Sequence, residues 1–311
     1  MRNAFASELV TLAKNDPKIV FLTADIGNRL FNEYKSLFPT RFFNCGVAES
    51  NMASMAAGLA LTGLRPITYT IAPFNVYRCL EQIRIDICYH NLPVTIVGVG
   101  AGVSYASLGP THHSLEDIAC LRSFPNLKIV CPGDSFELRA LMQKIVKQQS
   151  PVYLRIGKKG ERVVHKELPN VGIGKGLKIF DGKDACLFSI GNMLPLAMDL
   201  KENLKLYGID LQVVSMHTVK PLDTILLQEM FSSYRYLFSL EEHSIIGGLG
   251  TSICQWMVEN QMNKSFIPFA FPDQFYSKAY TQGSLREKAG LSLPLLTKKI
   301  LDRVAQHANR C

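Results

Sequence analysis

Short apolar runs and longer amphipathic stretches alternate along the chain. Continuous apolar runs at Ile19–Thr23, Val94–Val99, Leu127–Cys131 and Val152–Ile156 read as buried strands. Between them, Ala4–Ala13, Asn51–Leu61, Tyr77–Tyr89, Ser114–Arg122 and Phe136–Val146 show helical spacing. Such alternation predicts a doubly wound parallel sheet. From Gly157 to Gly176 the chain turns polar and rich in Gly and Lys, the pattern of a linker. A second set follows, with strands at Ala185–Ser189, Leu211–Met216, Tyr236–Leu240 and Ile267–Phe271. Its helices fall near Leu194–Leu206, Thr224–Met230, Gly250–Asn260 and Leu295–Ala308. The expectation is an α/β protein of two doubly wound domains, residues 1–165 and 176–311, joined by a linker at 166–175.

A chain of 311 residues with 47% hydrophobic content suits two domains with buried cores. Residues 1–14 carry no long apolar segment of a secretory signal, and the longest apolar run, near Leu92–Val103, is too short to span a bilayer. The eight cysteines include no CxxC pair, which argues against a zinc site or a disulfide framework. Reduced thiols in a cytoplasmic protein, away from the membrane, are expected. The net charge of +8 is spread along the chain. It favours small anionic substrates through the overall field, and no basic–aromatic motif points to nucleic acid.

Residues 42–60, FFNCGVAESNMASMAAGLA, place Glu49 between a Gly turn and a helix built from small residues. The helix dipole favours an ionised carboxylate there, and the small side chains permit close packing against another backbone. Taken alone, Glu49 reads as a structural carboxylate. Four further segments follow in order. They are Pro73–Arg78 (PFNVYR) with Glu81–Arg84 (EQIR), Gly109–His113 (GPTHH), Met216–Asp223 (MHTVKPLD) and Glu241–Gly250 (EEHSIIGGLG). Together with the Glu49 segment they resemble the transketolase family over nearly the whole chain.

The resemblance implies a thiamine-diphosphate pyrimidine-binding domain followed by a transketolase C-terminal domain. The implied activity is transfer of a ketol unit from a ketose donor to an aldose acceptor. Glu49 then hydrogen-bonds a ring nitrogen of the aminopyrimidine, Phe74 stacks on that ring with Tyr77 beside it, and Asp25 lies near the thiazolium. His112 faces the substrate hydroxyls and exchanges protons with them, making Glu49 and His112 the catalytic pair. Arg155 and Arg2 grip the substrate's anionic end, which suits the guanidinium fork. His113 is expected to be structural. Glu242 and His243, before a Gly-rich turn, suit a structural or subunit-contact role better than anion binding.

The family's Gly-Asp-Gly…Asn motif, which binds the diphosphate through a divalent cation, is not found; Pro132-Gly133-Asp134 lacks the second Gly. No metal ligands are therefore expected here. The resemblance implies an N-terminal transketolase subunit as partner, carrying the diphosphate-binding domain and the Mg2+ ligands, in a two-plus-two assembly. Two positions depart from the family. Gly100 stands where a phosphate-binding His is usual, and Leu108 stands where an Asp precedes the Gly-Pro pair. Sugars with or without phosphate therefore remain candidate substrates. The alternatives are a decarboxylating synthase like deoxyxylulose-phosphate synthase, the beta chain of a 2-oxoacid dehydrogenase, and a non-catalytic regulatory subunit of the same fold.

Overall fold

The computed structural model describes residues 1–27 and 29–308, without the side chains of 305–308. The first sheet draws on β1 (Ile19–Thr23), β2 (Phe42–Asn44), β3 (Arg65–Ile71), β4 (Thr95–Val99), β5 (Lys128–Val130) and β6 (Val152–Ile156). The second domain contributes β7 (Leu177–Phe180), β8 (Ala185–Ser189), β9 (Leu211–Ser215), β10 (Thr218–Lys220), β11 (Tyr236–Ser244) and β12 (Ser265–Phe271). A seven-stranded sheet runs β10-β5-β6-β4-β3-β1-β2 and a five-stranded sheet runs β12-β11-β8-β9-β7. Except for β10 and β7, the strands are parallel to their neighbours. The α/β expectation and the predicted strands are met.

Register lines up the carboxyl ends of the first sheet. Thr23 lies opposite Asn44 and Tyr69, Ile71 opposite Val99, and Val99 opposite Ile156. The loops that leave β1, β2, β3, β4 and β6 therefore emerge along one edge, where open α/β sheets place their ligands.

Alternation along each strand explains the layers. Phe21, Tyr69, Val97 and Leu154 face one side with Phe5, Leu9, Leu138 and Leu141 of the helices Arg2–Asn15 and Ser135–Ile145. Val20, Leu22, Ile96 and Tyr153 face the other, with Met52, Ala53 and Ala56 of the helix Glu49–Leu61. That second core runs on without a break to Phe188, Val214 and Trp256 of the second domain.

Polar contacts also weld the domains. β10 pairs with β5, and the Cys131 N–H donates to the His217 carbonyl at 2.7 Å. Glu242, 1% exposed, accepts from the Val103 N–H at 2.8 Å and from Asn192 Nδ2 at 3.0 Å, and pairs with Arg286. Residues 157–176 form neither strand nor helix. They are anchored all the same, because Asp134 Oδ2 accepts from the Val164 and His165 backbone N–H groups, both at 2.8 Å.

Four strands lie outside the apolar runs read as buried strands. β3 contains Pro66, which removes a ladder donor and disguises a central strand. β2 and β10 have three residues each, and β7 is a half-exposed edge. The helix expected from Ser114 starts at Asp117, because the Ser114 N–H bonds back to the Gly102 carbonyl. No described helix is long and apolar enough to cross a membrane. Every described cysteine is free; Cys311 lies outside the described residues.

Candidate active site

Glu49 opens its helix from the turn after β2, and its side chain is 5% exposed. Oε1 accepts a 2.9 Å hydrogen bond from Arg78 Nη1. Oε2 accepts none from the described residues. Phe74 sits in the short helix Ala72–Val76 that follows β3, half-buried, with the Arg78 guanidinium 4.0 Å from its ring centre. The His112 ring meets Phe74 edge-on at 5.0 Å between centroids. Thus Glu49, Phe74 and His112, from three separate segments of sequence, form one cluster at the carboxyl edge of the sheet.

His112 is half-buried, with Nδ1 2.9 Å from Thr111 Oγ1, so Nε2 is the nitrogen without a hydrogen-bond partner among the described residues. Burial lowers its pKa, and neighbouring His113 and Arg78 add to the effect, so the neutral imidazole is favoured. His113 is buried, and a ring nitrogen lies 3.4 Å from the Ala106 carbonyl, in line with a structural role.

Tyr77 points away from Glu49. Its hydroxyl donates to Glu116 Oε2 at 2.8 Å, and burial, Asp117 and Glu116 raise its pKa, so it stays protonated. It lines a cavity of about 400 Å³ with Pro73, Thr111, Leu115, Glu116 and Phe275. That cavity adjoins the His112 loop but is not bounded by Glu49 or Phe74. Asp25 is exposed after β1, at a φ of 52°, and Asn44 Nδ2 donates to its Oδ1 at 3.0 Å. It shares the sheet edge with Glu49 without touching it.

Arg155 requires a correction. It does not present a guanidinium to a substrate. The side chain is 2% exposed, Nε donates to Asp117 Oδ2 at 2.8 Å, and Nη2 donates to the Ser114 and Glu242 carbonyls at 2.7 and 3.0 Å. Position 155 lies within β6, whereas the ligand edge begins after Ile156. Lys158, just beyond that end, does reach the edge, with Nζ 4.6 Å from the Tyr105 ring centre. Arg2 lies beside the Tyr105 hydroxyl, and Tyr105 neighbours His112 at 6.2 Å. Tyr105 and Lys158 were missed because neither belongs to a matched motif.

The two positions that depart from the family pattern have different surroundings. Leu108 is 53% exposed. Gly100, at a φ of +83°, is required, since a Cβ there would lie 2.1 Å from the Tyr105 ring. The Gly-rich turn after β11 is also settled. Glu241 accepts from the Leu249 and Gly250 N–H groups at 2.7 and 2.8 Å, so the chain's own carboxylate occupies that helix start. Glu242 and His243 are buried between the domains.

The donor set fits the aminopyrimidine end of thiamine diphosphate: a buried carboxylate with one oxygen unengaged, beside a half-buried aromatic ring. Among the described residues, no group of three or more His, Cys, Asp or Glu could hold a metal ion.

The family described as transketolase, pyrimidine binding domain, matches residues 1–162. The transketolase C-terminal domain matches residues 174–294. A Methanocaldococcus jannaschii chain, provisionally named a transketolase C-terminal section, is 33% identical over 307 residues, 98% of this chain and 96% of that one. One of the subunits of the apulose-4-phosphate transketolase of Phocaeicola vulgatus is 34% identical over 275 residues, 88% of each chain. A solved structure described as a split gene transketolase, inactive β4 tetramer, superposes with a TM-score of 0.88 at 32% identity, covering 98% of this chain and 97% of that one. The chain belongs to the transketolase family and corresponds to the C-terminal subunit of its split members, a pyrimidine-binding domain followed by the C-terminal domain.

Proposed function

We propose that this chain binds the pyrimidine end of thiamine diphosphate and, with a partner subunit that holds the diphosphate and Mg2+, transfers a ketol unit from a ketose to an aldose. The observation that carries this reading is the cluster of Glu49, Phe74 and His112 on the ligand edge of the parallel sheet. When bound, thiamine diphosphate supplies the electron sink for breaking and making the carbon–carbon bond.

This chain's residues orient and polarise. Glu49 offers a carboxylate oxygen to a ring nitrogen in a site screened from water. Phe74 offers its ring for stacking. His112, held through Nδ1 by Thr111, accepts and returns a substrate hydroxyl proton at Nε2. Arg2 and Lys158 flank Tyr105 near His112 and supply positive charge for an anionic substrate end. The apulose-4-phosphate transketolase of Phocaeicola vulgatus is named for a phosphorylated sugar, which agrees with a basic edge of this kind.

A two-plus-two assembly with an N-terminal transketolase subunit completes the site. The relative described as an inactive β4 tetramer supports the need for a second kind of chain. The test is Glu49→Gln in the reconstituted complex. The amide keeps the size but loses the carboxylate charge, and turnover should fall by at least about a hundredfold, the scale of general acid–base contributions. Turnover near that of the parent would refute the assignment.

A further inference from the structure

The group bound to Glu49 in this chain is Arg78. Its planar guanidinium lies over the Phe74 ring, 4.0 Å from its centre, while Nη1 donates to Glu49 Oε1 at 2.9 Å. A flat, nitrogen-rich group that lies over Phe74 and donates to Glu49 occupies the two contacts expected of the aminopyrimidine. The Arg78 side chain is 48% exposed and the Glu49 side chain 5%, so the ion pair joins a buried carboxylate to a side chain that reaches solvent. The backbone is fixed, because Ser50 Oγ donates to the Arg78 carbonyl at 2.7 Å. That bond ties the Tyr77–Cys79 turn to the helix bearing Glu49 and leaves only the side chain to move.

We propose that Arg78 is a built-in surrogate for the aminopyrimidine, which closes the site in the chain without cofactor and must swing out before the cofactor's pyrimidine ring can bind. The inference rests on the reading of Glu49 and Phe74 as the pyrimidine end. Its advantage is chemical. A carboxylate kept dry needs a partner, and an unpaired charge in that place would be costly. One guanidinium N–H pairs with one of its oxygens, and the guanidinium over the ring keeps Phe74 covered. The cost falls on affinity, since only the fraction of molecules with Arg78 displaced accepts the ring.

The test is calorimetric titration of the full chain, and of the complex with its partner, with thiamine diphosphate and with the hydroxymethyl aminopyrimidine fragment alone. Arg78→Ala removes one cation–π contact and one half-exposed ion pair, together worth about tenfold in affinity, so both ligands should bind roughly tenfold more tightly. Arg78→Lys, which keeps the charge without the plane or the fork, should fall between parent and Arg78→Ala. In the parent chain, the arginine Nε–H resonance that vanishes in Arg78→Ala should shift on addition of the fragment; this readout needs no variant to bind ligand.

Weaker or unchanged binding in Arg78→Ala, or a resonance unmoved by saturating fragment, would overturn the proposal. Glu49→Gln and Phe74→Ala separate the two levels. If both still weaken binding while Arg78→Ala does not tighten it, the surrogate role fails and the site stands. If neither alters binding, the site assignment fails and takes the surrogate role with it.

Discussion

Arg155→Met should act on folding rather than on substrate recognition. The substitution keeps length and most of the volume but removes every donor of the guanidinium. Asp117, fully buried, would keep only the 2.7 Å bond from the Tyr153 hydroxyl, with His243 Nε2 at 3.9 Å, and the Ser114 and Glu242 carbonyls would lose their donor. Breaking a buried ion pair from one side costs about 3–5 kcal/mol, because the remaining charge is left unpaired. Burial by itself would raise the Asp117 pKa, yet Arg155, His243 and the two side-chain hydrogen bonds outweigh it and lower the value. A carboxylate whose pKa is lower folded than unfolded adds stability above its unfolded pKa and loses it as the pH falls through the folded one. The variant should lose this support at neutral pH. Urea denaturation at pH 7 measures the effect, and Arg155→Met with Asp117→Leu should recover a large part of the loss by removing both charges. A single variant within about 0.5 kcal/mol of the parent, the range of surface substitutions, with a raised KM confined to phosphorylated ketoses, would refute the reasoning and return Arg155 to the substrate.

Phe74→Ala should weaken thiamine diphosphate binding in the reconstituted complex by about 0.5–1.5 kcal/mol beyond area burial, read by calorimetry; an unchanged Kd would make Phe74 ordinary packing. Gly100→His alone should destabilise the chain, since its Cβ meets the Tyr105 ring and its φ is positive. Combined with Tyr105→Ser and Leu108→Asp, the same change should shift the ratio of kcat/KM for phosphorylated over unphosphorylated ketoses, and a constant ratio would remove these positions from substrate selection. Burial pushes the His217 pKa down to about 4 from 6.5. The unfolded chain therefore takes up a proton first as the pH drops, so stability from this group is lost between about pH 6.5 and 4, by up to roughly 3 kcal/mol. His217→Gln should flatten that limb of the stability–pH curve, and parallel curves would count against it.

What could be read from the sequence follows the physics of each signal. Long apolar strands such as Ile19–Thr23 and Ala185–Ser189 announced themselves, because both faces are buried and five adjacent positions are apolar or nearly so. The motif around Glu49 gave its place at a helix start. The signal failed where meaning depends on which end of a strand a residue occupies. Arg155 lies one residue short of the edge, and its strand carries the side chain into the domain boundary. Lys158, three positions later, is the cation that reaches the edge. Tyr105 could not be found from periodicity, as it lies in a loop and fills space that Gly100 vacates. The Arg78 contacts join neighbours of Phe74 to a carboxylate 29 positions away, a pairing that only the folded sheet edge creates.

The most direct test is reconstitution. The purified chain, shown by mass spectrometry to be free of other proteins, should fold, bind thiamine diphosphate weakly and show no ketol transfer. Charge interactions of the diphosphate with Mg2+ supply much of the cofactor's binding energy, and the matching ligands are assigned to the partner. Adding a chain with the Gly-Asp-Gly…Asn domain should restore tight cofactor binding and turnover together, and Glu49→Gln should abolish the turnover. Robust ketol transfer by the chain alone, or a complex that binds the cofactor tightly yet turns over equally well with Glu49→Gln, would contradict the proposed division of the site.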